Sequence, residues 1–271
     1  MINVNNLTFK YDKLLFDNTS FTINSQKTTF IIGMNGSGKT TLANILSGLN
    51  FKYNGEVIID NNKLSKKMKI RELRKLVGMI FQNPDHQIVM NNVYDELNFT
   101  INNLTGNKDN KERIEEVLKT VDLIDYINNN TYNLSGGEKQ RLNIASILSI
   151  NPKYIIFDEA TSMLDDTNRL KIYNLVNELK KKDLGIIFIT NNMEELFYAD
   201  DILIIDNKKI IKYSKEELLN NLNILKKYGF NIPINLLTMK KLIDKKIKIS
   251  NYNDLIKGID KLWKLYFFYY F

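Results

Sequence analysis

The chain has 271 residues, of which 44% are hydrophobic and 25% are charged, and its formal net charge is +7 at pH 7. This composition predicts a globular protein with one or two domains and a substantial core. Cysteine is absent, which excludes disulfides and thiolate metal sites and favours a cytosolic location. No apolar run approaches the length of about 18 residues that spans a bilayer, and the N-terminus lacks the basic and apolar regions of a signal peptide. We therefore expect neither a membrane span nor a secretory leader.

The positive charge is scattered along a chain that is rich in Lys, Asn and Ile. Its densest basic run, residues 66–75, is explained by a solvated helix face. A basic balance can indicate a nucleic-acid partner, but such partners require a concentrated patch. We therefore expect no nucleic-acid binding.

The predicted elements begin with short antiparallel strands over residues 1–28, where apolar and polar residues alternate between turn residues. From about residue 214 the pattern changes to helical pieces with Lys-rich faces, which predicts a small C-terminal region. Between them, the pattern predicts strands over 29–32, 55–60, 77–81, 154–157 and 185–189, helices over 70–76, 138–150 and 167–182, helical character over 93–130, and a hairpin over 202–210.

A glycine-rich loop follows the predicted strand over 29–32 and precedes an apolar-periodic segment over 42–46. Strand, loop and helix in this order are what a phosphate-binding loop requires. Glycines let consecutive backbone N–H groups approach the phosphates, and the positive end of the helix dipole points at the same anion. We expect Lys39 to reach the β- and γ-phosphates and the Thr40 hydroxyl to ligate Mg²⁺. The residues predicted to bind the nucleotide here are Gly33, Met34, Asn35, Gly36, Ser37, Gly38, Lys39, Thr40 and Thr41.

An acidic pair, Asp158 and Glu159, ends the predicted buried strand over 154–157. In a protein with a phosphate loop, Asp158 at this position can hold Mg²⁺ and Glu159 can polarise an attacking water. Such a pair also occurs as the plain start of a loop, but its combination with the phosphate loop favours the catalytic interpretation.

A second glycine motif consists of Ser135, Gly136 and Gly137 before a predicted helix. It would form another helix N-terminus that faces an anion. The same sequence is also suited to be an N-cap with a capping box. Because one nucleotide needs only one phosphate cradle, the second motif suggests that it serves the nucleotide of another subunit.

These motifs resemble those of the nucleotide-binding subunits of ATP-binding cassette (ABC) transporters, over about residues 1–210. Residues 33–41 match the family's Walker A motif, 134–141 its signature motif and 154–159 its Walker B motif. Gln82 stands at the Q-loop position, residues 163–165 resemble the D-loop, and Tyr11 precedes Lys39 by 28 residues, where the family has an aromatic residue that stacks on adenine.

The resemblance implies an α/β P-loop NTPase fold with a RecA-like parallel sheet, an antiparallel β subdomain and a helical signature subdomain over about 83–150. We expect this ATP-binding domain to span residues 1–212 and a C-terminal dimerisation or accessory region to span 213–271. The implied assembly is a head-to-tail dimer with a second ABC ATPase subunit, either a paralogue or a second copy.

In that dimer each ATP lies between one subunit's Walker A motif and the other's signature motif, including Gln140. The implied catalytic residues are Glu159, Gln82 and Asn191, and the implied Mg²⁺ ligands are Thr40, Gln82 and Asp158. Gln82 would also sense the γ-phosphate and contact the membrane partners.

The sequences over 81–89, 93–99 and 158–165 are similar to those of the energy-coupling factor (ECF) ATPases, and residues 225–233 resemble their C-terminal dimerisation region. The ECF transporters take up vitamins or metal ions. Their ATPases bind a transmembrane T component, which docks a substrate-binding S component. The resemblance thus implies an ATP-hydrolysing subunit at the cytoplasmic face of the cell membrane.

Asn191 departs from the family, which has a His at this position after Thr190. An asparagine can donate a hydrogen bond but cannot carry a proton or a positive charge. We therefore expect this chain's own site to bind ATP and to hydrolyse it slowly, while full activity with Asn191 is the alternative.

Three alternatives remain at this point: the ATPase of another ABC importer, a non-transport ABC ATPase, and a regulatory subunit that binds ATP without hydrolysis. The single cassette, the short interval over 42–133 and the absence of cysteine argue against the non-transport members. The aromatic sequence over 262–271 is expected either to pack at a dimer interface or to contact a membrane surface.

Overall fold

The computed structural model of the chain describes residues 1–181, 183–249, 252 and 254–259. The aromatic sequence over 262–271, for which we predict an interface role, lies outside these residues. In the part of the chain that is described, no helix has both the length and the apolar character needed to cross a membrane.

An antiparallel sheet opens the fold and confirms the strands predicted over 1–28 and 55–60. Its four strands lie in the order β2-β1-β4-β5. The turn between β4 and β5 places Asp60 and Asn61 at positive φ values of 44° and 65°, a conformation that tight hairpins require and that these residue types tolerate. The strands are β1 (Ile2–Lys10), β2 (Leu14–Ile23), β4 (Asn54–Ile59) and β5 (Asn62–Lys63).

A six-stranded sheet in the order β10-β9-β3-β8-β7-β6 forms the centre of the molecule. Strands β9, β3, β8, β7 and β6 pair in parallel, and β10 joins β9 as the antiparallel arm of the predicted hairpin. The strands are β3 (Thr28–Gly33), β6 (Val77–Ile80), β7 (Tyr154–Asp158), β8 (Gly185–Ile189), β9 (Asp201–Asp206) and β10 (Lys209–Ser214).

The helices lie on both faces of this sheet. The stretch over 93–130, predicted as helical in character, is divided because Gly106 adopts φ +83° and ends the first of its helices. The helices are α1 (Lys39–Leu46), α2 (Ile70–Leu76), α3 (Val93–Thr105), α4 (Lys111–Thr120), α5 (Gly136–Leu148), α6 (Asp166–Lys180), α7 (Lys215–Asn220), α8 (Asn223–Lys227) and α9 (Ile234–Asp244).

Alternate residues of the central strands enter two different cores, as expected for a sheet that is covered on both faces. On β8, Ile186 and Phe188 pack with the helical layer, while Ile187 and Ile189 pack with α1 and the antiparallel sheet. The first core also takes up Leu218, Leu222 and Leu225 of α7, α8 and the residues between them. The fold therefore brings the carboxyl ends of the parallel strands to one edge, where ligands bind in open α/β sheets.

Candidate nucleotide-binding and catalytic site

The phosphate loop, residues 33–41, connects β3 to α1 in a conformation that depends on its glycines. Gly36 and Gly38 adopt φ values of +78° and +103°, which residues with a Cβ rarely reach. A Cβ on Gly33 would lie 2.4 Å from the Ser37 hydroxyl, and one on Gly38 would lie 2.9 Å from Cζ of Phe16. Side chains at Gly33 and Gly38 would therefore crowd their neighbours, while Gly36 is favoured by its backbone angle.

Lys39, the first residue of α1, is folded inward and is only 6% exposed. Its Nζ donates to the carbonyl oxygens of Gly33, at 2.8 Å, and of Met34, at 3.3 Å. Burial lowers the pKa of Lys39, and the nearby carboxylates of Glu159 and Asp158 oppose this effect. The ammonium group is thus held inside the loop that would receive the phosphates.

Whether the loop can bind a phosphate depends on hydrogen-bond donors that its own residues do not already use. The hydroxyl oxygen of Ser37 is buried and has no hydrogen-bond partner among the described residues. The N-terminus of α1 also receives no capping bond from the side chain before it, since that residue is Gly38. Phosphate is bound by backbone N–H groups, hydroxyls and cations of this kind, so the loop fits a phosphate.

Thr40 and Asp158 approach each other where a Mg²⁺ would be held. The Thr40 hydroxyl donates to Asp158 Oδ1 across 3.4 Å, although 118 residues separate them. Burial raises the pKa of Asp158, and the charge of Glu159 adds to this effect, while Thr40 and Lys39 oppose it. A divalent cation would offset this burial, and a hydroxyl with one carboxylate is the kind of sparse oxygen set that Mg²⁺ accepts beside phosphates. The described residues contain no cluster of three acidic, His or Cys side chains that could hold a metal without such help.

Glu159 follows β7 directly and adopts φ +52°. Its backbone N–H donates to Ile189 of β8 at 3.0 Å, and one oxygen of its side chain accepts a hydrogen bond from Asn191 Nδ2 at 2.7 Å. The residue with the unusual backbone angle is therefore also the predicted catalytic carboxylate, which agrees with the tendency of such angles to occur at functional sites. Asn191 contacts that carboxylate directly.

Gln82 reaches this group through Ser162. Its Nε2 donates to the Ser162 hydroxyl at 3.3 Å, and that hydroxyl donates to the carbonyl oxygen of Glu159 at 2.7 Å. The structure thus brings Gln82, Glu159 and Asn191 together, as expected for catalytic residues. Gln82 has no contact with Thr40 or Asp158 in the hydrogen bonds of the described residues, so its assignment as a Mg²⁺ ligand stays a prediction.

Tyr11 lies just beyond the end of β1 and is 60% exposed. Its ring packs edge-on against Phe9, with centroids 4.8 Å apart, and Phe9 contacts Phe16, which lies against Gly38. The predicted adenine-stacking residue is therefore connected to the phosphate loop through two buried rings.

The signature motif begins α5. The Ser135 side chain accepts a hydrogen bond from the Glu138 N–H, and the Glu138 carboxylate accepts one from the Ser135 N–H at 2.8 Å, which completes the capping box. A Cβ on Gly137 would meet Asn168 of α6 at 2.5 Å, whereas one on Gly136 would have no neighbour within 4 Å. Gly136 therefore presents open backbone at an exposed helix N-terminus.

Gln140 is placed differently from the other residues predicted to bind the nucleotide. Its side chain is fully buried, and its amide donates to the carbonyl oxygens of Phe81, at 3.2 Å, and of Ala160, at 3.0 Å. It joins the Q-loop to the residues after Glu159 from inside the chain. Its buried position offers no surface to a ligand.

Four residues near the site, Ser162, Arg169, Glu194 and Glu195, were not predicted from the sequence. Ser162 lies within residues 158–165 beside Glu159, so its position was the available signal. The two glutamates follow Asn191 closely, but nothing in the pattern distinguishes them from a solvated turn.

Comparisons with known proteins agree with this geometry. The profile of the family described as "ABC transporter" matches residues 16–162. The energy-coupling factor transporter ATP-binding protein EcfA1 of Fusobacterium nucleatum is 42% identical over 265 residues, which cover 97% of this chain and 98% of that protein. The energy-coupling factor transporter ATP-binding protein EcfA of Pediococcus pentosaceus is 38% identical over 254 residues, which cover 91% and 90%.

Two solved structures are similar throughout the fold. The cbiO1 protein of Clostridium perfringens, part of the ABC transporter complex cbiONQ, has a TM-score of 0.74 at 27% identity and covers 88% of this chain and 98% of its own. The ATP-binding cassette MJ0796, dimeric in a post-hydrolysis state with ADP and Pi, has a TM-score of 0.68 at 27% identity and covers 79% and 98%.

The fold and the site define an ATP-binding cassette of the P-loop class. With the relatives above, the chain belongs to the ABC transporter family and, within it, to the energy-coupling factor transporter ATP-binding proteins. Its activity is ATP hydrolysis coupled to transport. The predicted fold class and family are confirmed.

Proposed function

We propose that this chain is an ATP-hydrolysing subunit that powers an ECF-type importer for vitamins or metal ions. It works beside a second ATPase subunit and with a transmembrane T component and a substrate-binding S component. It sits peripherally at the cytoplasmic face of the membrane. The observation that carries the proposal is the convergence of the phosphate loop, Asp158 and Glu159 at one edge of the parallel sheet.

The proposed role of each residue in the site follows from its contacts. The phosphate loop and Lys39 would hold the nucleotide's phosphates, and Thr40 with Asp158 would hold Mg²⁺. ATP supplies the phosphoryl group, and Mg²⁺ supplies positive charge to its oxygens. Glu159 would orient the attacking water and take its proton, with its carboxylate positioned by Asn191.

Asn191 is the reason to expect slow turnover at this chain's own site. The neutral amide has its donor directed at Glu159 and brings no positive charge to the transferring group. The loss of transition-state stabilisation relative to a histidine amounts to about 2–4 kcal/mol, by analogy with the loss of one oxyanion donor. The partner's site, completed by this chain's Ser135, Gly136 and Gly137, then supplies most of the turnover.

The head-to-tail dimer is supported by the exposed signature motif. Gly136 has open space on its outer side, and the α5 N-terminus carries positive dipole charge. We assign the ATP-binding function to residues 1–212 and dimerisation to 213–271.

Copurification tests the proposal directly. The full-length chain, isolated from membranes in mild detergent and analysed by mass spectrometry, should retain a second ATPase subunit and at least one membrane-spanning protein. Substrate uptake by cells should stop when Lys39 is replaced by Ala. Recovery with ribosomes or DNA, or normal uptake with Lys39→Ala as the sole copy, would overturn the proposal.

A further inference from the structure

The β8–β9 connection, residues 190–200, carries two consecutive glutamates that bond in different directions. Glu194 reaches the C-terminal region: its carboxylate accepts the backbone N–H groups of Ile234, at 3.0 Å, and Asn235, at 3.4 Å. The Asn235 side chain returns a hydrogen bond to the Glu194 carbonyl oxygen at 2.7 Å. Glu194 therefore caps the N-terminus of α9, which has no cap from the residue before it.

The Glu195 side chain bonds to residues that follow the catalytic Glu159 in the chain. It is only 3% exposed, and its Oε1 accepts a hydrogen bond from the Thr161 hydroxyl at 2.9 Å. The same oxygen lies 3.6 Å from Nε of Arg169, and Arg169 Nη2 donates to the Leu164 carbonyl oxygen of the D-loop at 2.8 Å. Glu195 thus connects the β8–β9 connection directly to the Thr161 side chain and, through Arg169, to the backbone of the D-loop.

The distance along the chain from these glutamates to the catalytic contact is short. Asn191, which bonds Glu159, precedes Glu194 by three residues. Residues Met193–Tyr198 form a 3-10 helix, and Phe197 within it packs in one apolar cluster with Met239, Leu242 and Leu255 of the C-terminal region. A movement of α9 therefore shifts a short, hydrogen-bonded segment that also holds Asn191.

We propose that Glu194 and Glu195 are positioning residues that couple the C-terminal region to the catalytic carboxylate Glu159. Glu194 ties the β8–β9 connection to α9, and Glu195 ties it to Thr161 and Arg169, so the state of the C-terminal region sets where Asn191 holds Glu159. The proposal rests on the proposed function, because it assigns dimerisation to the C-terminal region and hydrolysis to this site.

The test compares two helix caps in the same C-terminal region. Glu217 completes the capping box of α7 with Ser214, yet among the described residues its carboxylate makes no hydrogen bond to the β8–β9 connection. Glu194 and Glu217 each accept hydrogen bonds at the N-terminus of a helix, so Glu194→Ala and Glu217→Ala are both expected to lower stability slightly. Only Glu194→Ala is expected to affect hydrolysis.

The measurement is ATP hydrolysis by the assembled transporter in which the partner ATPase's catalytic carboxylate is neutralised, so that this chain's site provides the turnover. Glu194→Ala should lower kcat roughly fivefold with KM unchanged, while Glu217→Ala keeps the wild-type kcat. Glu194→Gln, whose carbonyl oxygen still accepts a hydrogen bond from α9, should recover most of the rate.

Two outcomes overturn the inference. One is a wild-type kcat in Glu194→Ala, and the other is an equal loss in Glu194→Ala and Glu217→Ala, which would reflect stability alone. Glu159→Gln in the same assay separates this failure from failure of the proposed function. If Glu159→Gln abolishes hydrolysis while Glu194→Ala does not change it, the site is catalytic and the coupling is absent.

Discussion

The phosphate loop and the β8–β9 connection follow two neighbouring parallel strands, β3 and β8. Both contact the acidic pair after β7, since Thr40 bonds Asp158 and Asn191 bonds Glu159, yet the two segments are built in different ways. The phosphate loop is shaped by its backbone, since Gly36 and Gly38 adopt positive φ values. The β8–β9 connection is shaped by side chains, since Asn191, Glu194 and Glu195 bond residues about 30 to 40 positions away.

Because of this difference, substitutions can change ATP hydrolysis without changing ATP binding. Backbone N–H groups are present whatever the other side chains are, so the phosphate loop keeps its affinity for phosphate if its glycines and Lys39 remain. Side chains can be exchanged one at a time, and an exchange such as His for Asn at position 191 alters the chemistry while the loop stays intact. The predictions below test this separation.

Loss of the Lys39 side chain should have the largest effect. Lys39→Ala removes the cation that the loop holds against the Gly33 and Met34 carbonyls. With the partner ATPase's catalytic carboxylate neutralised, ATP hydrolysis at this chain's own site should fall by about 10²–10³-fold, and nucleotide binding there should weaken. Steady-state ATPase assays and equilibrium binding of a fluorescent ATP analogue measure both quantities. Lys171→Ala, at an exposed position of α6, is the control and should leave both unchanged. If Lys39→Ala bound the ATP analogue with wild-type affinity, Lys39 and its loop would not hold the phosphates.

Gly136→Ala tests whether a second backbone-built anion site serves the partner subunit. A Cβ there would have no described atom within 4 Å, so the free energy of unfolding should change by less than about 0.5 kcal/mol. Hydrolysis by the assembled transporter should nevertheless fall about tenfold, because the methyl group stands where the partner's nucleotide would contact the helix N-terminus.

Gly137→Ala is the matched variant. Its Cβ would lie 2.5 Å from Asn168, so this substitution should cost about 1–3 kcal/mol of stability, measured by chemical denaturation. Unchanged hydrolysis in the stable Gly136→Ala variant would contradict a shared site.

Lys215 concerns the β8–β9 connection alone, and its substitution should affect the pH dependence of stability and have the smallest effect on hydrolysis. Its Nζ donates to the Phe197 carbonyl oxygen in the β8–β9 connection. Burial lowers the pKa of Lys215 from 10.5 to about 8, against the attraction of Asp200. The unfolded chain therefore binds more protons than the folded chain between about pH 8 and pH 10.5, and this residue makes the free energy of unfolding rise with pH in that window.

Lys215→Met should flatten that rise, and the two proteins should differ in it by at most about 3 kcal/mol. Denaturant unfolding at a series of pH values from about 7 to 10 measures the difference. Parallel curves for the two proteins would show that the Lys215 proton is not linked to folding.

The phosphate loop could be predicted from the sequence because its signals are local. The strand, the glycines and the helix lie within about 20 consecutive residues, and each has a conformational reason to be there. The helix over 70–76 and the strand that follows it were predictable for the same reason, since apolar spacing and length distinguish them.

The resemblance also identified Gln82, Asp158, Glu159 and Asn191, but the contacts of Gln140 and Glu194 could not be predicted because they cross long intervals of the chain. The sequence places Gln140 in the signature motif. Its amide instead bonds Phe81, 59 residues earlier, and Ala160, 20 residues later. Glu194 reads as a surface residue, and only the packing of α9 against the β8–β9 connection makes it a cap. Tertiary contacts of this kind leave no periodic pattern in the sequence.

The most direct measurement of the central claim is the rate of ATP hydrolysis by the assembled transporter with Asn191→His, under the conditions in which only this chain's site turns over. If the phosphate loop binds ATP normally and Asn191 limits the chemical step, kcat should be at least about tenfold higher, with the affinity for ATP unchanged. An unchanged kcat would contradict this claim, because Asn191 would then serve as well as histidine beside Glu159.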